Sequence, residues 1–328
     1  MDSSTKGQAW QQEEGAGRSL QHLGRRLLAP LVLGLLALVA LALVADAREL
    51  ARSLGAFDLR LLPPVLALSL INYGLRFGRW QVYLNVLEVE LPWRRSLAIF
   101  LVGFVLSVTP GKAGELGKAW LTRELGGGAA RRTVAAVLAE RITDLLGMVL
   151  LVACGALAWP GGVWFAAGGL LLSGLGLLLL SWSSGARLLL GLLGRLPWLG
   201  PRTGLLAEVY DRLRTLLRAP LLAVALPLSV LAWGAEGVGF ALVVWEYAPG
   251  TSWLAAVFNF SLSTLFGALS MLPGGLLATE GSLTALLGLQ GLETAAAASA
   301  TLLIRAATLW FAVMLGLVAL PFVVKELR

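Results

Sequence analysis

Ionisable side chains stand in apolar sequence at Lys112, Glu115 and Lys118, at Glu140, Arg141 and Asp144, at Glu236, at Glu280 and at Arg305. Such a group costs roughly 2.5–3.5 kcal/mol in hydrocarbon on insertion scales, so each must face a bundle interior, find a partner or line a wet cavity. The set exceeds what anchoring requires. Its basic members could hold an anion such as phosphate, and its acidic members would serve as counter-ions or as proton carriers. Glu140 and Asp144 are four apart and share a helix face. Arg141 points elsewhere and needs a partner from another helix, which Glu115 or Glu280 could supply.

Two of these carboxylates follow the same interruption. Ser107-Val-Thr-Pro110-Gly111-Lys-Ala-Gly114 leads to Glu115, and Ser270-Met-Leu-Pro273-Gly274-Gly275 leads to Glu280. Proline lacks an amide hydrogen and glycine tolerates unusual dihedrals, so the chain can turn there and start a new half-helix. The amino-terminal amides of a half-helix favour an anion. A simpler reading is that Glu115 and Glu280 cap the half-helices and the arginines neutralise them. The prolines lie about half the chain apart. The same offset carries the apolar span 61–82 onto 224–245 and brings Arg141 to within one position of Arg305. Broken helices at matching points of a duplicated membrane protein point to a transport site.

The elements that must position these residues are membrane helices. The 328 residues have a mean hydropathy of +0.81, with 58% hydrophobic and 14% charged residues, which leaves too little polar surface for a soluble domain. Apolar runs at 27–45, 61–82, 134–159, 162–182, 221–245 and 295–322 reach the roughly 20 residues that cross a bilayer. Runs 96–122 and 251–290 carry the breaks. The expected fold is an all-α polytopic helix bundle of two inverted-topology repeats, each containing a Pro-Gly-broken re-entrant helical hairpin. An ordinary bundle with two kinked helices is the alternative.

The expected organisation is a disordered cytoplasmic tail at 1–20, a first span with an outer interfacial segment at 21–60, and a first repeat with its linking span at 61–182, hairpin 96–122. A basic linker at 183–219 and a second repeat at 220–328, hairpin 251–290, complete it. The first span lacks a small-residue cleavage pattern and reads as uncleaved. With both termini cytoplasmic, Arg76, Arg79, Arg94, Arg95, Arg123, Arg131, Arg132 and the six arginines from Arg187 to Arg218 all fall inside. Only Arg48, Arg52 and Arg60 fall outside, as the positive-inside rule prefers. In the linker, Arg212, Arg214 and Arg218 alternate with leucines at helical spacing, which suits an amphipathic tether or a collector of lipid head groups on an anionic leaflet. Cys154 reads as a small buried hydrophobe, and His22 lies in the polar tail without the neighbours a metal site needs. No metal and no cofactor are expected.

Thr109-Pro-Gly-Lys-Ala-Gly-Glu115 with Lys118 and Arg123, Glu140-Arg141 with Asp144, Leu272-Pro-Gly-Gly275 with Glu280-Gly281, and Arg305 ahead of a last apolar span occur in this order. In them the chain, over about 60–325, resembles the membrane region of lysylphosphatidylglycerol synthases of the MprF type and the stand-alone YbhN-like and AglD-like proteins. That resemblance implies a flippase-like domain moving a phospholipid or a lipid-linked glycan carrier between leaflets. The sequence departs from the family in two places. It ends at Arg328 without a soluble aminoacyl-transferase region, so lysyl transfer is not expected. It also has Leu276-Leu277-Ala278 where such proteins often carry another glycine.

The functional expectation is a non-enzymatic transporter of the bacterial cytoplasmic membrane. It would move an anionic phospholipid or polyprenyl-phosphate-linked lipid by alternating access around a cationic midplane cavity. Lys112, Glu115, Lys118, Arg141, Glu280 and Arg305 would meet the substrate; Glu140, Asp144 and Glu236 would be coupling groups or counter-ions; Pro110, Gly111, Gly114, Pro273, Gly274 and Gly275 would break the helices. The partners expected are the lipid itself, a second copy of the chain or a lipid-biosynthesis enzyme, and not nucleic acid. The rivals are a membrane transferase using Glu115, Glu140 or Asp144 as general base, and a scaffold of a lipid-glycosylation complex.

Overall fold

The computed structural model describes residues 46–327, apart from 110–113, 129, 160, 196–199 and 201–202, together with Val32, Gly34, Leu36, Val39 and Leu43. The tail 1–20, His22, Pro110, Gly111 and Lys112 therefore lie outside the described residues, as does most of the first apolar run; its five described residues are helical.

Each described element is a helix. Asp46 opens α1 (Ala47–Ala56), the short helix expected at the interface, by accepting from the Arg48 amide at 2.8 Å. A 3-10 turn and Pro63-Pro64 start α2 (Leu62–Val86), proline being welcome in a first turn whose amides have no partner. The next segment divides into α3 (Trp93–Ser107) and α4 (Gly117–Glu124). α5 (Ala130–Gly155) and α6 (Gly162–Ser181) follow, then α7 (Ser183–Leu193) and α8 (Thr203–Leu216) in the linker. α9 (Ala219–Tyr247) leads to α10 (Trp253–Leu269) and α11 (Ala278–Leu289), separated by a 3-10 turn at Pro273–Gly275. α12 (Thr294–Arg305) passes through a π turn, Ala306–Trp310, into α13 (Phe311–Glu326).

Five stretches are long and apolar enough to span: Leu59–Val86, Ala130–Ala158, Gly162–Ser181, Ala219–Tyr247 and Thr294–Glu326. This is an all-α polytopic membrane protein. At 1.5 Å per residue, the 15 residues of α3 and the 17 of α10 fall short of a hydrocarbon core about 30 Å thick. The helix after each lies back along it. Arg95 on α3 reaches the Leu125 carbonyl at the far end of α4, while Gly103 abuts Lys118 near its start. In the second half Asn259 donates to Gln290 at 2.8 Å, while Gly267 abuts Thr279 and Gly275. Each pair is antiparallel, and the second is joined through the turn at Pro273–Gly275.

Small residues let the helices close up. A Cβ on Gly147 of α5 would meet Ser229 of α9 at 2.8 Å, and one on Gly155 would meet the Leu254 carbonyl at 2.6 Å. Gly316 of α13 lies as close to the Leu101 carbonyl of α3. The first helix of each antiparallel pair thus packs against a long helix of the other half, α3 with α13 and α10 with α5, while the second, α4 or α11, packs on its own half's α5 or α12. α2 and α9 pack on each other. One apolar core gathers Trp80, Tyr83, Phe100, Phe104 and the alanines of α5, and a second gathers Phe57, Phe240, Phe260, Leu283 and Ile304. α6 meets the first core through Leu180 and exposes Trp164, Leu171, Leu172, Leu178 and Leu179, a surface fit for lipid.

Basic termini collect at one end of the bundle. Arg95 meets Glu326 at 2.7 Å, Arg132 donates to the Glu88 carbonyl at 2.9 Å, and Arg131 and Arg212 both hold Glu208. The hydrogen bond from Arg131 lowers the pKa of the Glu208 carboxyl, so the tie is present above the ordinary carboxylate range and is lost as pH falls below it. α8 also sends Leu213 and Leu216 into the Trp80 core. The linker is therefore packed against the bundle along part of its length. One expectation needs correcting here: Cys154 is exposed on the lipid-facing side of α5 and is not buried.

Candidate functional site

α2 places Tyr73, Arg76, Arg79 and Tyr83 three or four residues apart, so one helix face carries a polar stripe through the bundle. Arg79 is fully buried and donates to Asp144 Oδ1 at 2.7 Å. The same oxygen accepts from Trp233 Nε1 at 3.0 Å and Ser229 Oγ at 3.3 Å. Arg141 and Arg76 lie 3.2 and 3.6 Å from Asp144 Oδ2, so three guanidiniums share one carboxylate. Arg76 is also set between the rings of Phe104 and Trp233, 5.5 and 5.2 Å from their centroids, where cation–π attraction holds it.

These contacts correct the topology reading, which counted Arg76 and Arg79 among the basic residues of the cytoplasmic surface. They stand one to three turns inside α2, roughly 10 Å or more from its end at Val86. The available signal was their three-residue spacing in phase with Tyr73 and Tyr83; their nearness to Arg94 and Arg95 concealed it.

Glu140 and Asp144 do share a face of α5, with separate partners. Lys118 donates to Glu140 Oε2 at 2.5 Å and lies over the Trp80 ring at 4.4 Å. The close approach of α3 at Gly103 encloses its stem. Arg141 finds Glu115 at 3.1 Å, the partner expected from another helix, and Asp144 as well. In the second half Arg305 binds Glu280 at 2.5 Å and donates to the Gly274 carbonyl at 2.8 Å. Each half therefore pairs the glutamate after its break with an arginine on the following long helix.

The π turn after Arg305 adds one residue to a helical turn, a feature frequent at functional sites. Within it the Thr308 carbonyl accepts from the Tyr73 hydroxyl at 2.6 Å as well as from the Phe311 amide. No glycine or proline marks this turn, so the sequence reads through it as continuous helix.

At the first break, Thr109 Oγ1 accepts from the Gly114 amide at 2.7 Å and donates to the Leu106 carbonyl at 2.8 Å, closing the turn around the undescribed residues. A Cβ on Gly114 would fall 2.6 Å from that carbonyl, so glycine is required. The second break carries positive φ at Met271, Gly274, Gly275 and Leu277. Leu277, at φ 68° and ψ −47°, is a non-glycine residue that the fold holds in that strained region. The first turn of α11 already contains Glu280, so a carboxylate of the chain itself meets the positive end of that helix dipole. The two breaks adjoin: a Cβ on Gly274 would touch Val108 at 3.3 Å, and Val108, Leu276 and Val313 form one cluster.

Between the breaks lies a cavity of about 110 Å³, room for several waters at roughly 10–15 Å³ each. Its charged wall combines Arg76, Glu115, Lys118 and Arg141 with Glu236 and Arg305. Glu140, Asp144, Glu280 and Arg79 stand behind it as partners. The wall is basic, with four cations to two carboxylates. The whole cluster is balanced among the described residues, with five of each when all are ionised. Several oxygens and nitrogens keep unused hydrogen-bonding capacity, including both Glu115 oxygens and Arg76 Nε. Buried groups of this kind are rare unless something else satisfies them. Among the described residues no three His, Cys, Asp or Glu side chains are grouped as metal ligands would be.

The comparisons with known proteins agree with this architecture. The model of the lysylphosphatidylglycerol synthase TM region matches residues 28–316. A UPF0104 membrane protein of Methanothermobacter thermautotrophicus is 23% identical over 330 residues, covering 92% of this chain and 96% of that protein. The match reaches from the first apolar run, past both breaks and all of the buried ion pairs, into α13, and on that extent the chain belongs to the lysylphosphatidylglycerol synthase transmembrane-region family.

Proposed function

We propose that this protein is a lipid flippase whose cavity receives the anionic phosphate head group of a phospholipid or polyprenyl-phosphate-linked lipid while the acyl or prenyl chains remain in the bilayer. The observation that carries the reading is the basic wall formed jointly by Arg76, Arg141 and Arg305 where two broken helices meet. Arginine suits this use because its fork can hold a carboxylate and still offer further N–H groups to phosphate oxygens. Lys118 is committed to Glu140 and takes a supporting role.

The motion would be a rocking of two inverted repeats. The matching Glu115–Arg141 and Glu280–Arg305 pairs and the exchanged packing of the two halves support that symmetry. Re-entrant hairpins, cytoplasmic termini and a bacterial cytoplasmic membrane belong to the same proposal. A transferase is less well supported, because Glu115, Glu140 and Asp144, its candidate bases, are all tied to cations.

The test is reconstitution in vesicles carrying a fluorescent phosphatidylglycerol or a fluorescent phosphatidylcholine, with bleaching of the outer leaflet. Wild-type protein is expected to move the anionic lipid faster, and Arg305→Ala to lower that rate at least ~tenfold, the effect of about 1.4 kcal/mol. Equal movement of both lipids, or an unchanged rate in a folded Arg305→Ala variant, contradicts the proposal.

A further inference from the structure

Five carboxylates are buried around the cavity, and four are held by cations. Glu115 has Arg141, Glu140 has Lys118, Asp144 has three arginines and Glu280 has Arg305. Glu236 is the fifth. Only 4% exposed, it lines the cavity from the middle of α9, one turn beyond Trp233, and among the described residues it makes no ion pair and no hydrogen bond.

Its surroundings explain why it has no partner. Tyr73 and Arg76 face it from α2, but the Tyr73 hydroxyl is donated to Thr308 and Arg76 leans toward Asp144 between two aromatic rings. Arg305 approaches from α12 with its fork occupied by Glu280 and the Gly274 carbonyl. Asp144 contributes like charge from α5. α10 brings Phe260 and Thr264 to the same wall, neither of them titratable, while Glu115, Lys118 and Arg141 stand elsewhere around the cavity in pairs of their own.

A phosphate anion entering this space meets a charge problem. With Glu236 ionised the cluster is neutral, and the newcomer would sit beside an unpaired carboxylate where water screens poorly. With Glu236 protonated the cluster carries one net positive charge, and the carboxylic acid gains an O–H to donate to a phosphate oxygen. Resting on the flippase reading, we infer that Glu236 takes a proton from water as the anionic head group binds and returns it when the head group leaves, so that lipid and proton move together as a neutral pair. Glu140 and Asp144, named with it from the sequence as coupling groups, are held by cations and do not serve. Anion binding and proton binding then promote each other by the same factor.

The experiment uses dioctanoyl phosphatidylglycerol, whose phosphodiester does not titrate near neutral pH. Its binding to the full chain in nanodiscs is measured by calorimetry in two buffers of different ionisation enthalpy. The expected result is uptake of about one proton per lipid above the range where Glu236 titrates, with affinity falling up to ~tenfold per pH unit there. Glu236→Gln, which keeps the shape of the protonated acid, is expected to bind without proton uptake and without pH dependence. In vesicles, an inward acid gradient should accelerate transport by the wild type and not by this variant. Binding by the wild type without proton uptake, or proton uptake that survives Glu236→Gln, overturns the inference and leaves the flippase reading standing. Failure of the wild type to bind the anionic probe at all overturns both.

Discussion

Asp144 gathers Arg79, Arg76 and Arg141, and that convergence decides what the neighbouring residues can do. Arg79 has no exposure through which water could replace a lost carboxylate. Asp144→Asn should therefore cost ~3–5 kcal/mol, the usual effect of removing one partner of a buried pair. Replacing both, as Arg79→Met with Asp144→Leu, should return the part of that loss that comes from stranding Arg79, because apolar side chains of similar volume often substitute for a buried pair, while Arg76 and Arg141 still lose this carboxylate. Thermal unfolding in detergent checks this; a double variant as unstable as the sum of its single changes would refute the pairing. Glu115, Glu140, Arg141, Asp144, Glu236, Glu280 and Arg305 were legible in the sequence because each interrupts apolar surroundings that give a charge no other place. Arg76 and Arg79 were not, because near the end of a span an arginine can either reach toward the surface or turn inward. The choice depends on a carboxylate more than sixty residues away.

At the scale of elements, two kinds of interruption place the charges. The second Pro-Gly segment was legible, since a missing amide and positive φ leave few ways to continue a helix, and the chain turns there; Pro110-Gly111 lies outside the described residues. The π turn after Arg305 was not, because Ala306-Ala-Thr-Leu-Trp310 has ordinary helix-compatible residues and its extra residue answers to Tyr73 on another helix. The helix contacts were only half legible: glycine is abundant, and the sequence does not mark which glycines touch a neighbour. Gly147 does, against Ser229, whereas Gly168 on α6 has nothing within 4 Å. Gly147→Leu should push α5 from α9 and lower stability by ~1–3 kcal/mol, the usual cost of overpacking. Gly168→Leu should change it by less than ~0.5 kcal/mol, as for substitutions away from packed features. Equal melting temperatures for the two variants would contradict the assigned α5–α9 contact.

Taken whole, the molecule is two broken helix pairs, each with its first helix packed on a long helix of the other half, with α2 packed on α9 and the charged cavity where the breaks meet. Hydropathy marks the five long spans among the described residues, because lipid imposes length and composition on any helix that crosses it; the run at 27–45 lies mostly outside them. Hydropathy does not reveal the exchange of partners between halves, which follows from matching surfaces about one hundred to two hundred residues apart in the chain. The central claim is that this shared cavity takes a phosphate head group from the bilayer. Native mass spectrometry of lipids released from protein purified in mild detergent tests it most directly, comparing wild type with the double variant Arg141→Ala, Arg305→Ala. The account predicts one phosphate-bearing anionic lipid per wild-type chain and its loss from the folded variant. The same lipid on both proteins, or only zwitterionic lipid on the wild type, would contradict it.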